Sequence, residues 1–85
     1  MRIHFSKEFT KYLRKHTEIV LQTEQRLRMF LADTHNPLLH THALNGAYAG
    51  CRSINITGDI RAVYEERSQG VFLFVRIGTH AELYG

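Results

Sequence analysis

The chain has 85 residues, which is enough for one domain and one core, because a protein of this size buries only roughly 60 to 65% of the surface its unfolded form exposes. A second domain with a cleft between the two is excluded, so any site has to lie on the surface of a single sheet or helix layer. With 44% hydrophobic and 22% charged residues, five Phe, four Tyr and one Pro, the composition is that of an ordered globular domain. Eleven Lys and Arg outweigh eight Asp and Glu, for a net charge of +3 that six histidines can raise near neutrality. That balance favours a polyanionic partner, and the predominance of arginine over lysine suits phosphate. Cys51 has no second cysteine to pair with, which excludes a disulfide scaffold and fits a reducing compartment. Residues Met1 to Lys7 contain no apolar leader, and the longest apolar run, Val71 to Val75, is far too short to span a bilayer. The expectation is a cytoplasmic protein with no membrane partner.

In chain order, Arg2 to Phe5 reads as a first strand. Ser6 then caps a helix whose apolar stripe is Phe9, Tyr12 and Leu13, with His16 on the same side. Thr17 is placed to cap a second helix, in which Val20, Leu27, Phe30 and Leu31 recur at helical spacing, and Asn36-Pro37 sets its latest end. The segment Thr34 to Gly46 has neither helical nor strand period and reads as an ordered loop. Three strand-like runs follow, Tyr48 to Ile56, Asp59 to Glu66 and Val71 to Ile77, parted by turn signals at Thr57-Gly58 and Ser68-Gln69-Gly70. The order β-α-α-β-β-β predicts an α+β domain over residues 1–85, with two N-terminal helices on one face of a small, mostly antiparallel sheet.

Side chains alternate along strands, so loop length decides which residues share a face. A three-residue Ile56-Thr57-Gly58 loop sets Asn55 opposite Asp59 and Ser53 opposite Arg61, and leaves Ile54, Ile60 and Ala62 together on the other face. A two-residue Ser68-Gln69 loop then sets Arg61 opposite Arg76. The predicted polar face holds Ser53, Asn55, Asp59, Arg61 and Arg76, joined by Phe72 and Phe74. Two arginines so close call for an acidic neighbour or a bound anion, and two phenylalanines beside them suit stacking on unpaired bases, unless a third layer covers the rings. Arg52 falls on the apolar face by the same count.

His35, His40 and His42 lack paired cysteines and any recognised metal-ligand spacing, so the polar-loop reading is preferred to a metal site and no cofactor is expected. Cys51 reads as a small packed hydrophobe, and no phosphate-cradling glycine loop or nucleophile elbow is present. What remains is a basic face that histidines enter at two places, His42 before the three-strand run and His80 after it. Cleavage of RNA asks for such groups: a base for the ribose 2′-OH, an acid for the departing 5′ oxygen, and cations for the charge on the phosphorus oxygens.

The runs His42-Ala43-Leu44-Asn45-Gly46, Gly50-Cys51-Arg52, Asp59-Ile60-Arg61-Ala62-Val63-Tyr64, Arg76-Ile77-Gly78-Thr79-His80 and Leu83-Tyr84-Gly85 resemble the RelE/ParE superfamily of bacterial toxins, and its YafQ-like branch most closely. The terminal R-x-G-T-H-x-x-L-[YF]-G is the most specific part. The resemblance implies the toxin of a type II toxin-antitoxin pair: a ribosome-dependent endoribonuclease that cuts mRNA without metal and is neutralised by a cognate antitoxin. On that basis His80 corresponds to the principal acid/base group, His42 to the second entering histidine, Asp59 to a catalytic acid, Arg76 to the phosphate-binding arginine and Tyr84 to the aromatic that orders the base. Arg61, Asn55 and Arg52 join Tyr84 as expected RNA contacts. Two positions depart from the branch: Asn55 stands where a histidine is usual, and Ile60 where a tryptophan is usual. Asparagine hydrogen-bonds but does not shuttle protons, which leaves that work to His42 and His80. Two other readings stay open, a ParE-like gyrase poison that is no nuclease, and a catalytically weakened member that only binds its antitoxin.

Overall fold

The structure, a computed structural model, describes residues 1–85 and is organised around one five-stranded sheet. In chain order the elements are β1 (Arg2–Phe5), α1 (Lys7–Lys15), α2 (Val20–Ala32), β2 (His42–Ala43), β3 (Arg52–Asn55), β4 (Ile60–Ser68), β5 (Val71–Thr79) and α3 (His80–Tyr84). The strand order is β1-β5-β4-β3-β2. β1 is an edge strand parallel to β5, and every other pairing is antiparallel.

Ser6 starts α1 as its position suggests: its hydroxyl accepts from the Phe9 N–H at 3.1 Å. The same hydroxyl donates to the Val75 carbonyl at 2.7 Å, so the helix start is fastened directly to β5. β1 stops at the Phe5–Phe74 pair, and α1 packs beside β5 beyond it. Thr17 does not cap α2. It opens a 3-10 turn, Thr17–Ile19, and α2 follows with Ile19 at its N-cap and no side-chain capping bond. Of the expected α2 stripe, Phe30 is fully buried and Leu31 exposed, while Ile19 and Thr23 complete the buried face.

The segment expected to be a loop carries two short 3-10 turns and β2. Asn36 caps the Pro37–Leu39 turn through its side chain, and Leu39 plugs the core. His42 and Ala43 pair with Ser53 and Arg52, which makes β2 the other edge of the sheet. The first of the three strand-like runs, Tyr48 to Ile56, is shorter than expected at its start, because Gly46–Tyr48 forms a second 3-10 turn before β3.

The helices cover one sheet face and close an aromatic core there. The ring of Phe30 sits edge-on to Tyr64, Phe72 and Phe74, with centroids at 4.9, 5.0 and 5.4 Å. Phe72 and Phe74 are therefore core residues and not an exposed stacking surface. The cause is a β-bulge: Val63 pairs with Arg76 but Tyr64 pairs with Phe74, so Val75 is an extra residue that reverses which side chains of β5 point to which face. Arg76 stays on the open face, while the two phenylalanines turn to the helices.

The first hairpin keeps the expected parity with a shifted register. Asn55 pairs with Arg61 and Ser53 with Val63, while the Ile56 N–H reaches the Ile60 carbonyl at 2.8 Å across a Thr57-Gly58-Asp59 loop. Asp59 thus sits in the turn and not opposite Asn55. In the second hairpin Arg61 pairs with Gly78 and Arg76 with Val63, so the two arginines share a face but are not directly opposed. No helix is long and apolar enough to cross a membrane.

Candidate functional site

The face of the sheet that the two long helices leave uncovered is crossed at one end by α3, which begins where β5 ends. Thr79 and Glu82 form a capping box: the Thr79 hydroxyl accepts from the Glu82 N–H at 3.1 Å, and the Glu82 carboxylate accepts from the Thr79 N–H at 2.7 Å. The carboxylate also accepts from the Tyr12 hydroxyl at 2.8 Å, which ties α3 to α1. The Thr79 and Tyr12 donors hold the Glu82 carboxyl below the usual carboxylate range. Burial, helped by the bond to Glu82, pushes the Tyr12 phenol up to about 12, so the proton stays on the phenol and the charge on the carboxylate. Leu83 is buried beneath α3, as is Val63 on the sheet.

This anchoring sets His80 and Tyr84 over the open face. A hollow of about 470 Å³ is lined by His42, Leu44, Asn45, Ser53, Arg61, His80 and Tyr84, among others. Strand β2 brings His42 to it, β4 brings Arg61, and α3 brings the other two predicted residues. The His80 and Tyr84 rings lie 4.8 Å apart, and Tyr84 makes an edge-on contact with Tyr48 at 5.6 Å. Burial, and then Tyr48, raise the Tyr84 phenol above its ordinary value against a smaller opposing effect of Arg61. Tyr84 is therefore a neutral ring in the working range, suited to stacking or to donating a hydrogen bond.

The cations are left available. Arg61 donates to the carbonyls of Gly58 at 3.1 Å and Thr57 at 3.4 Å, and Arg76 to the Tyr48 hydroxyl at 3.2 Å and the Glu82 carbonyl at 3.5 Å. Neither has a carboxylate within ion-pair distance, since the ion pairs present are His16–Glu18 and Glu65–Arg67. Neutral oxygens thus aim both guanidiniums without cancelling their charge. Arg76 is outside the walls of the hollow and one side chain, Tyr48, away from Tyr84. It also lines a second hollow of about 210 Å³ with Lys11, Lys15, Tyr12 and Glu82.

Besides Arg76, three predicted residues are not drawn into the hollow. Asp59 is exposed in the turn, where its backbone N–H bonds the Thr57 hydroxyl and its carboxylate has no partner. Asn55 is beside Arg61 in the register, with its side-chain oxygen buried and unpaired. Arg52 stands opposite Tyr64 on the helix-side face, where it lines a small hollow with Gly50, Tyr64 and Glu66, so it turns away from His80. Its parity had already put it there. Cys51 is half-buried, and burial raises its thiol, which is not the setting of a reactive thiolate.

Two participants went unremarked in the sequence. Glu82 was readable, because Thr79-x-x-Glu82 has capping-box spacing. Tyr48 carried no signal beyond its place between Gly46 and Gly50.

The family model for the bacterial toxin YafQ of type II toxin-antitoxin systems matches residues 1–85. The chain is a member of the YafQ toxin family. Its fold is that of YafQ from E. coli strain BL21(DE3), at 21% identity and a TM-score of 0.81 over 99% of this chain and 98% of that one. The YafQ of the E. coli DinJ-YafQ complex matches at 22% identity and a TM-score of 0.76, with 99% and 98% covered. A YoeB/ParE toxin from Agrobacterium tumefaciens shares the fold at 19% identity and a TM-score of 0.74, with 94% and 99% covered. No curated protein matches this YafQ-family toxin in sequence.

Proposed function

We propose that this YafQ-family toxin is a ribosome-dependent endoribonuclease that stops translation by cutting mRNA. The observation that carries the reading is the single hollow in which His42, His80, Arg61 and Tyr84 meet. In the proposed step one imidazole takes the proton of a ribose 2′-OH, whose oxygen attacks the adjacent phosphorus. The bond from phosphorus to the 5′ oxygen breaks, and the other imidazole protonates that oxygen as it leaves. His80, held at the start of α3, is the principal acid/base group. The uncompensated guanidiniums of Arg61 and Arg76 stabilise the charge that builds up on the phosphorus oxygens, and the neutral Tyr84 ring stacks on the base being positioned. Asn55, beside Arg61, contributes hydrogen bonding but no proton transfer, and Asp59 acts from the rim.

The open face offers few groups to hold RNA, so the ribosome supplies the positioning, which is worth roughly 7 to 11 kcal/mol of barrier in favourable cases. The partner that silences the toxin is a cognate antitoxin with an acidic toxin-binding segment, drawn to the +3 chain and laid along its uncompensated arginines. A neighbour of the same fold is crystallised as a DinJ-YafQ complex. The test is primer extension on a reporter mRNA after induction, alongside purified toxin on programmed ribosomes and on naked RNA. Discrete cuts that depend on the ribosome support the reading. Replication arrest with intact mRNA would replace it with gyrase poisoning, and growth inhibition with neither would leave only antitoxin binding.

A further inference from the structure

Arg76 and Tyr84 reach the site from different elements, β5 and α3, and one residue of neither element touches both. Tyr48 is half-buried on the tight turn Gly46–Tyr48. That turn is built to hold a side chain still. Gly46 and Gly50 flank it at φ of 64° and 88°, a left-handed conformation in which a side chain is strained. The Tyr48 carbonyl accepts from the Cys51 N–H at 2.9 Å, and the Leu44 N–H reaches the Cys51 carbonyl at 3.0 Å, which closes the segment on itself. From there the Tyr48 hydroxyl accepts the Arg76 Nη1–H at 3.2 Å while its ring stands at 89° to Tyr84, at a centroid distance of 5.6 Å. Tyr84 in turn lies 4.8 Å from His80.

We infer that Tyr48 is a positioning residue of the nuclease site, which aims the Arg76 guanidinium through its hydroxyl and fixes the Tyr84 ring through its own. The inference rests on the proposed cleavage reaction. The other hydrogen bond of Arg76, to the Glu82 carbonyl, is long at 3.5 Å, and no carboxylate orients this arginine. Without the Tyr48 hydroxyl a long, rotamer-rich side chain has little to hold it toward a phosphate, and a misplacement near 1 Å can cost about a hundredfold in rate. A phenylalanine keeps the edge-on contact with Tyr84 and loses only the acceptor, so the two functions of Tyr48 can be separated.

The experiment is single-turnover cleavage on programmed ribosomes by the parent, Tyr48→Phe, Arg76→Ala and the double variant. Tyr48→Phe should slow cleavage at saturating ribosome about tenfold, with half-saturation and melting temperature nearly unchanged. In the Arg76→Ala background the same change should have no further effect, because its route runs through the arginine. A Tyr48→Phe protein that cuts at the parent rate, or rate losses that multiply in the double variant, would overturn the inference. Arg76 side-chain NMR resonances in the free toxin decide the positioning claim without activity: they should be slowed in rotation in the parent and averaged in Tyr48→Phe, and identical spectra refute it. If the parent cuts nothing while the resonances differ as expected, the nuclease reading fails and the anchoring of Arg76 stands.

Discussion

The two faces of the sheet have opposite economies. On the helix-covered face, Phe9, Phe30, Ile54, Ala62 and Phe74 are fully buried, and the buried Thr23 hydroxyl donates to the Ile19 carbonyl. On the open face only Val63 and Leu83 are buried apolar side chains. There the polar inventory is left incomplete, with two arginines without ion pairs and an Asn55 oxygen without a donor. An unsatisfied buried acceptor costs about 1 to 3 kcal/mol, and the closed face has none to offset. Stability is thus concentrated on one side and unpaired polar groups on the other, and substitutions on the two sides should fail in different ways.

The largest effect should come from the closed face. Phe30→Ala removes the ring on which Tyr64, Phe72 and Phe74 converge, and a buried Phe→Ala change costs about 3 to 5 kcal/mol. A chain of 85 residues has roughly 4 to 13 kcal/mol in total, so the variant loses from about a quarter to all of its stability. A chemical denaturation curve checks this, and a variant that melts within a few degrees of the parent would show that the ring cluster is not the structural centre.

His80→Gln should do the reverse. It removes the group able to both donate and accept a proton, so single-turnover cleavage on ribosomes should slow roughly 100- to 10,000-fold while the melting curve and ribosome binding hardly move. A folded variant that cuts at the parent rate would leave His42 as the acting histidine. Arg76→Ala should have a smaller and mixed effect, slowing the chemical step and also weakening ribosome binding. The binding loss should be greatest at low salt, and the salt slope itself should become shallower by about one phosphate contact. A purely thermal effect would assign Arg76 to holding α3.

These contrasts bear on what the sequence made legible. Alternation carried the parity of β3 and β4 correctly, because Ile54, Ile60 and Ala62 could only be buried together, and Ser6 announced α1 by its chemistry. The register was harder to read. Shifting the hairpin loop by one residue preserves parity, so nothing in the hydrophobic pattern distinguished an Asn55–Asp59 pair from the observed Asn55–Arg61 pair. The bulge at Val75 had no signal of its own, since Val71 to Val75 is apolar throughout, and it alone moved Phe72 and Phe74 from the expected polar face into the core. β2 is two residues long and has no period to detect. His42, Arg76 and His80 were nonetheless singled out independently of register, by their chemistry and the terminal motif, and of the three His42 and His80 line one hollow. Tyr48 was not, since its importance lies in which two elements it happens to join.

The smallest effect concerns the joint between the two faces, where α1 of the closed side holds α3 of the open side through Tyr12 and Glu82. Glu82 is depressed in the folded chain, so its ionised form contributes stability above the ordinary carboxylate value, and that contribution is lost as pH falls through the lower folded value. Tyr12 is raised to about 12, so its neutral form contributes below the ordinary phenol value and is lost as pH climbs through the folded value. Both edges lie outside the neutral range, where the joint is intact. Global melting is a poor probe, because α3 has only five residues and can loosen without the sheet. The Thr79 amide proton is a direct one, since it is donated to the Glu82 carboxylate at 2.7 Å. Its chemical shift should titrate with a midpoint below that of a free glutamate, and the titration should vanish in Glu82→Gln. The same variant should loosen His80 and slow cleavage by less than His80→Gln does. If the Thr79 proton titrates at the ordinary carboxylate value, Glu82 is not held by its capping box in solution, and α3 is free to move over the open face.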